Sequence, residues 1–359
     1  MQSCPQRYPG WLRAWWHAFG NGGLEIHAVR DGGRLVAVAP MIRSCGSLAA
    51  ARNVHTPGFE ILAENGRYTA EVLGALLASR PRRLSLPDLD SRSGTVCTVR
   101  RLAHATGYRV LSRPVRRSPY LDIAQSWAEY QSSRSRNLRA SLRRARKRAL
   151  AKGWLTVDIV TGGENLDALL HEAYRIEASG WKGSRGSAIR CNPHTRRFYT
   201  ELAHWAAEEG FLRLALLRLN DHAIAMSYVL QAHGVAHFLK AGYDQAFACL
   251  SPSHLLAHAV FRRCFEAGLS RIEFHGDAEP YKLRWMYSTN QQVRLEAFAP
   301  STSGCLSEAG YRYLRPITAR FGEAGHRYLR PIAVRLQTPE REEAARLMLR
   351  NIGSRGDCP

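Results

Sequence analysis

Six residues with usable chemistry gather between positions 243 and 282: Tyr243, Asp244, His275, Asp277, Tyr281 and Lys282. Lys240 joins them from inside an otherwise apolar run, and a charge within a strand needs a partner or a task. Lysine is itself informative here: of 51 basic residues only five are Lys, at 147, 152, 182, 240 and 282. A genome that writes Arg by default would use Lys where a compact ammonium serves and a planar guanidinium does not. Three of the five, Lys182, Lys240 and Lys282, fall in this region or in the loop GWKGSRGS, which also carries Trp181. Ser251 and Ser253 flank Pro252 at a helix start, where free N–H groups and the helix dipole bind one phosphate. His254 and His258 have the i,i+4 spacing of zinc ligands, but no Glu follows His254 and no third ligand is evident, so no metal is expected.

The elements that must position these residues read as strand, helix, strand. His237 to Gly242 is a strand, Pro252 opens a helix that Ser251 caps and Gly268 closes, and Ile272 to Phe274 is a short buried strand. Such a unit belongs to a sheet with helices on its faces, and ligands there sit at the carboxyl ends of strands. Upstream lie a hairpin over 212–231 turned at Asn220 and Asp221, helices over 165–179 and 193–209, and a strand LTVDIV. The N-terminal part has similar elements. A helix from Pro9 to Phe19 puts Trp11, Leu12, Trp15 and Phe19 on one face, and a hairpin follows, turned at RDGGR. Then come a helix over 69–79, a strand RRLSLPDL ended by Pro87, a helix over 95–107, a strand over 108–111 and an Arg-rich connection SRPVRRSP. The expected organisation is an α/β protein with domains at 1–118 and 119–300, followed by a tail, 301–359. In that tail EAGYRYLRPITAR recurs as EAGHRYLRPIAVR fifteen residues on, and a capped helix ends it.

The charge is unusual. The 51 Lys and Arg against 30 Asp and Glu give a formal charge of +21. Residues 100–152 alone hold 15 basic and two acidic side chains. Within them SSRSRNLRASLRRARKRALAKG places Leu138, Leu142, Ala145 and Ala149 on one helix face and basic residues around the rest. A solvated face would mix its signs, and a membrane-surface helix needs a stronger apolar face. The reading adopted is a grip on RNA phosphates by Arg136, Arg139, Arg143, Arg144, Arg146, Lys147 and Arg148. The eight cysteines show no C-x-x-C spacing, the start has no signal-peptide order and no apolar run approaches membrane length. A reduced, cytoplasmic protein without a membrane partner is expected.

The hairpin over 212–231, KAGYD at 240–244, SPSHLL at 251–256 and HGDAEPYK at 275–282 together resemble one branch of the GNAT superfamily. That branch contains the CelD-like acyltransferases and the Fem-type, aminoacyl-tRNA-dependent peptidyltransferases. PGWLRAW and VAVAPM near the N-terminus fit it, and the resemblance covers roughly residues 5–295. It implies tandem GNAT-like domains, with mixed, mostly antiparallel sheets flanked by helices. It also implies direct attack of an amine on an ester or thioester carbonyl, with no bound cofactor. The proton acceptor would be Asp244 or Asp277, with Tyr243, His275 and Glu273 at hand. Lys282, beside Tyr281, would steady the tetrahedral intermediate or the donor phosphate, and Lys240, Trp181, Lys182 and Trp285 would line the substrate pocket. The glycine-rich pyrophosphate loop of ordinary GNAT enzymes is replaced by Leu250-Ser251-Pro252-Ser253, a poorer cradle for CoA. The expected function is aminoacyl transfer from tRNA to an amine of a small molecule or peptide. The alternatives are an acyl-CoA-dependent N-acyltransferase and a non-catalytic RNA-binding protein on the same scaffold.

Overall fold

The computed structural model describes residues 4–314; most of the fifteen-residue repeat and the terminal helix expected after it lie outside the described residues. Two compact units are separated at residue 299/300. The second is described by one helix, Thr302–Ala309, capped by the Ser301 side chain, and a short π-helix, Gly310–Leu314, that continues it.

The first unit begins with α1 (Pro9–Phe19), β1 (Gly23–Asp31), β2 (Arg34–Ser44), β3 (Ser47–Ala50), β4 (Leu62–Ala63), α2 (Gly66–Ala78), β5 (Arg83–Asp90), α3 (Gly94–Ala105) and β6 (Arg109–Asp122). It continues with α4 (Trp127–Ser133), α5 (Arg136–Leu150), β7 (Leu155–Val160), α6 (Leu166–Ala178), α7 (Trp181–Ser184) and α8 (Pro193–Glu208). β8 (Leu212–Leu219), β9 (His222–Ala232), β10 (Val235–Tyr243), α9 (Pro252–Glu266), β11 (Arg271–Phe274), α10 (Pro280–Leu283) and β12 (Ser288–Phe298) complete it. The strands form one mixed sheet in the order β1-β2-β3-β5-β12-β6-β11-β10-β9-β8-β7, with β4 paired to β2.

Two motifs of the same kind are embedded in this sheet. β3, α2 and β5 make one parallel pair with its crossover helix, and β10, α9 and β11 make the other; the remaining ladders are antiparallel. Both long hairpins turn where the sequence indicates, with Gly32 and Gly33 at φ 55° and 83° and Asn220 and Asp221 at 49° and 64°, the left-handed pair that matches strand twist.

Three differences from the sequence reading matter. The connection SRPVRRSP is strand: β6 runs unbroken across residue 118, bonded to β12 on one side and β11 on the other. Its Pro114 is tolerated because Val115 bulges out of the β6–β12 register. Pro87 likewise does not end β5, since Pro87 and Asp88 sit in a bulge opposite Arg294, with Asp88 at φ 55°. Finally, α1 packs with the second half: Trp11 and Trp15 are buried with Phe198, Leu202 and Leu214 from α8 and β8.

Strand alternation builds the cores. On β8, Leu212, Leu214 and Leu216 face α1, α6 and α8, while Ala215, Leu217 and Leu219 face α4, α5 and α9. On β2, Ala37, Ala39 and Met41 join the core under α2 and α3.

Candidate active site

β10 and β11 pair in parallel only from Val235 to Phe238 and from Arg271 to Phe274, and Leu239 then bulges out of the β9 ladder. The two strands part beyond these points. A cavity of about 550 Å³ opens at their carboxyl ends, between α6, α7, the start of α9 and α10. It is lined by Trp181, Lys182, Lys240, Tyr243, Ser251, Ser253, His275, Tyr281, Lys282 and Trp285, so ten residues singled out in the sequence converge here. Asp244 and Asp277 are not among its lining residues. Asp244 caps the turn after β10, accepting from Ala246 N at 3.1 Å and from Arg175 at 3.3 Å. Asp277 contributes its backbone carbonyl to the Lys282 ammonium.

The three lysines do converge, yet they differ in what they hold. Lys282 is buried, and its Nζ donates to the carbonyls of His275 and Asp277 at 3.0 Å each and pairs with Glu279 at 3.1 Å. All three donors are therefore engaged in clamping the 275–279 loop. Lys182 donates to Ala241 O at 2.6 Å and lies 3.3 Å from Glu177. Lys240 has neither a hydrogen bond nor an ion pair among the described residues, and its ammonium stands over the Tyr199 ring at 5.4 Å. Burial pulls its pKa below the ordinary 10.5, and Lys182 adds to this while Glu177 opposes it.

Glu177 is the residue that the sequence reading missed. It sits on the buried face of α6 with Leu170, Ala173 and Tyr174, and a carboxylate on an apolar face was the legible signal. One oxygen accepts from Ile189 N at 2.8 Å, and the other has no hydrogen-bond partner although it faces Lys182. Gly242 makes the approach possible: a Cβ there would stand 2.5 Å from the Glu177 Cα, so α6 can lie this close only against glycine.

His275 is held neutral, its pKa driven down to about 3 mainly by burial, which Glu273 opposes and the neighbouring His237, Lys282 and Arg116 reinforce. Burial pushes Glu273 up, but His237, His275 and Arg271 outweigh this and keep it at about 2. His237, Glu273 and His275 bring three ligand atoms within 4.8 Å of one another. The two rings are parallel within 4°, with centroids 5.2 Å apart and facing nitrogens 3.0 Å apart. An ion between them would need ~2 Å on each side, whereas a shared proton fits this head-to-head arrangement as it stands. His254 stacks on Trp285, and His258 meets Gln131 at 3.2 Å.

At the mouth, Ser251 adopts φ 52° and opens α9 without a side-chain cap. Pro252 removes one of the N–H groups that a helix start would offer to phosphate. α5 packs against α9 and the turn before it, and Arg148 donates to Cys249 O at 3.2 Å. Arg136, Arg143, Arg144, Arg146, Lys147 and Arg148 are exposed, Arg139 partly so, and none pairs with a carboxylate among the described residues.

An Acetyltransferase (GNAT) domain family model matches residues 136–283. A search of curated protein sequences finds no match. Among solved structures, FemX aligns at a TM-score of 0.54 with 14% identity, covering 82% of this chain and 92% of that one. The C-terminal domain (DUF2156) of a protein described as a lysylphosphatidylglycerol synthetase from Agrobacterium fabrum aligns at 0.53 with 11% identity, over 82% and 90%. A conserved protein of unknown function from Bacteroides thetaiotaomicron aligns at 0.56 with 10% identity, over 80% and 88%. The fold of the first unit is shared with all three. Residues 136–283, which carry most of the lining of the cavity, thus match the GNAT acetyltransferase domain, and the chain is an acyltransferase.

Proposed function

We propose that this acyltransferase takes an aminoacyl group from a charged tRNA and passes it to a primary amine. The observation that carries the donor assignment is the position of α5. Its seven basic side chains have no carboxylate partners among the described residues, and the helix packs on α9 and the turn before it, with Arg148 bonded to Cys249 O beside the α9 start where the donor phosphate would enter. The RNA backbone would lie along α5, with its charged end in the cavity.

In the reaction the amine nitrogen attacks the carbonyl carbon of the aminoacyl ester. A C–N bond forms, and the C–O bond to the ribose breaks. Lys240, as its neutral amine, takes the proton that the nitrogen loses and returns it to the released ribose oxygen. Glu177 favours the Lys240 ammonium and Lys182 disfavours it, and neither bonds to it. Lys282 holds the 275–279 loop in place rather than offering a free N–H to an oxyanion.

The second reading, an acyl-CoA donor, has the family match in its favour. The substitution of Ser251-Pro252-Ser253 for a glycine-rich loop counts against it. Supplying charged tRNA or acetyl-CoA to the same amine mixture, with and without ribonuclease, separates the two. Product that needs tRNA and vanishes with ribonuclease supports the proposal; product that needs acetyl-CoA and survives ribonuclease overturns it.

A further inference from the structure

A second cavity, of about 590 Å³, lies against the face of β2 that the N-terminal core leaves uncovered. Ala37, Ala39 and Met41 point into that core, so Val38 and Pro40 point the other way, where both line this cavity. Trp11, Leu12, Phe59 and Leu62 complete an apolar end. The other end is polar. Glu60, Asp88, Asp90 and Glu273 face Arg7, Arg52 and Arg271, an excess of acid in the wall of a chain whose net charge is +21.

The guanidiniums are engaged: buried Arg52 pairs with Asp88, and Arg271 pairs with Asp122 at 2.6 Å as well as Glu273 at 3.6 Å. Six buried polar atoms of lining residues, Gln6 Oε1, Trp11 Nε1, Arg52 Nε, Thr56 Oγ1, Asp88 Oδ1 and Gln292 Oε1, lack a hydrogen-bond partner. Such atoms are uncommon in folded proteins, and they gather round this cavity. The first cavity has the opposite balance, Lys182, Lys240 and Lys282 against Glu177 and Glu279. His275 lines both cavities.

We infer that the second cavity is the acceptor site and that it takes a primary amine bearing an apolar chain. The ammonium sits towards Glu273 and His275, and the chain lies along Val38, Pro40 and Leu62. An anionic donor and a cationic acceptor then meet at His275: the ammonium gives one proton to solvent, and the neutral amine attacks the ester and passes its second proton to Lys240, which returns it to the ribose oxygen. The inference rests on the amine-acceptor reading above, but its test needs no donor, so the two fail separately.

The test is calorimetric titration of the full chain with octylamine, 1-octanol and octanoate. Octylamine should bind, with the alcohol and the carboxylate at least about tenfold weaker, a difference of ~1.4 kcal/mol. Val38→Trp should weaken octylamine about tenfold or more by filling the apolar end, and Leu62→Trp serves the same purpose if the first variant loses its native circular dichroism. Glu273→Gln should weaken octylamine and leave octanol unchanged. Absence of octylamine binding to the unaltered chain, octanoate binding as tight as octylamine, or binding indifferent to a folded tryptophan variant would overturn the inference. Loss of transfer to every amine, with octylamine binding intact, would overturn the transferase reading instead.

Discussion

Lys240 is the one lysine of the first cavity whose ammonium carries no hydrogen bond or ion pair among the described residues, and burial favours its neutral form. That form accumulates as pH rises through the depressed pKa. kcat/KM should therefore climb with pH to a plateau, with an apparent pKa below 10.5. Lys240→Met should remove this limb and cost roughly 10² or more in rate. A second pH effect concerns stability. His275 and His55 are held at about 3 and about 4 in the fold against 6.5 ordinarily. As pH falls below 6.5 the unfolded chain takes up these protons first, so the folded state loses stability through that window. Glu273 adds to the loss only below its ordinary 4.5, because its carboxylate stays ionised down to about 2. The melting temperature should thus drop between pH 6.5 and 4.5 from the histidines alone, and His275→Gln should make that drop shallower. At this scale the sequence was a partial guide. The rarity of lysine marked three residues that do converge, whereas Asp244 and Asp277 drew attention through their places at strand ends. A carboxylate at a strand end serves as a cap as readily as a base: Asp244 accepts from Ala246 N, and Asp277 offers its backbone carbonyl to Lys282.

The site depends on how closely α6 lies on β10. Gly242→Ala would put a Cβ 2.5 Å from the Glu177 Cα, and helix and strand would have to separate. Overpacking of this kind costs about 1–3 kcal/mol, and it would carry Glu177 and Lys182 away from Lys240. The variant should melt earlier and lose activity together; a variant with unaltered melting and full activity would show that the contact is dispensable. α5 permits a separate test. If its basic residues hold RNA phosphates, each replacement of a contacting Arg by Gln should lower the slope of log binding constant against log salt by roughly 0.7–0.9. Slopes unchanged on replacing Arg143, Arg144 and Lys147 would move the RNA elsewhere. Both helices were readable from periodicity, and so were the hairpins, because glycine or Asn-Asp turns fix them locally. The continuation of β5 through Pro87 and of β6 through Pro114 was not. A proline is compatible with a strand only at an edge or bulge, and a bulge is defined by its partner strand.

Across the whole first unit, the sequence suggested two halves with similar elements, and each half does contain a parallel pair with its crossover helix. What it did not reveal is how the halves are joined. β12, the last strand of the unit, lies between β5 and β6, and α1, the first helix, buries its tryptophans against α8. These pairings join residues more than a hundred positions apart, beyond the reach of any local pattern. His275 lines two cavities of opposite charge balance, as the proposed joining of an anionic donor to a cationic acceptor would require. The most direct measurement is the fate of a labelled aminoacyl group. tRNA charged with radiolabelled amino acids is incubated with the protein and primary amines, and the alkali stability of the label is then read. An ester is hydrolysed by alkali and an amide is not. The account predicts that label moves into an alkali-stable amide, and that ribonuclease treatment of the tRNA beforehand abolishes this. Label that stays alkali-labile on tRNA, while acetyl-CoA supports acylation of the same amines, would contradict it.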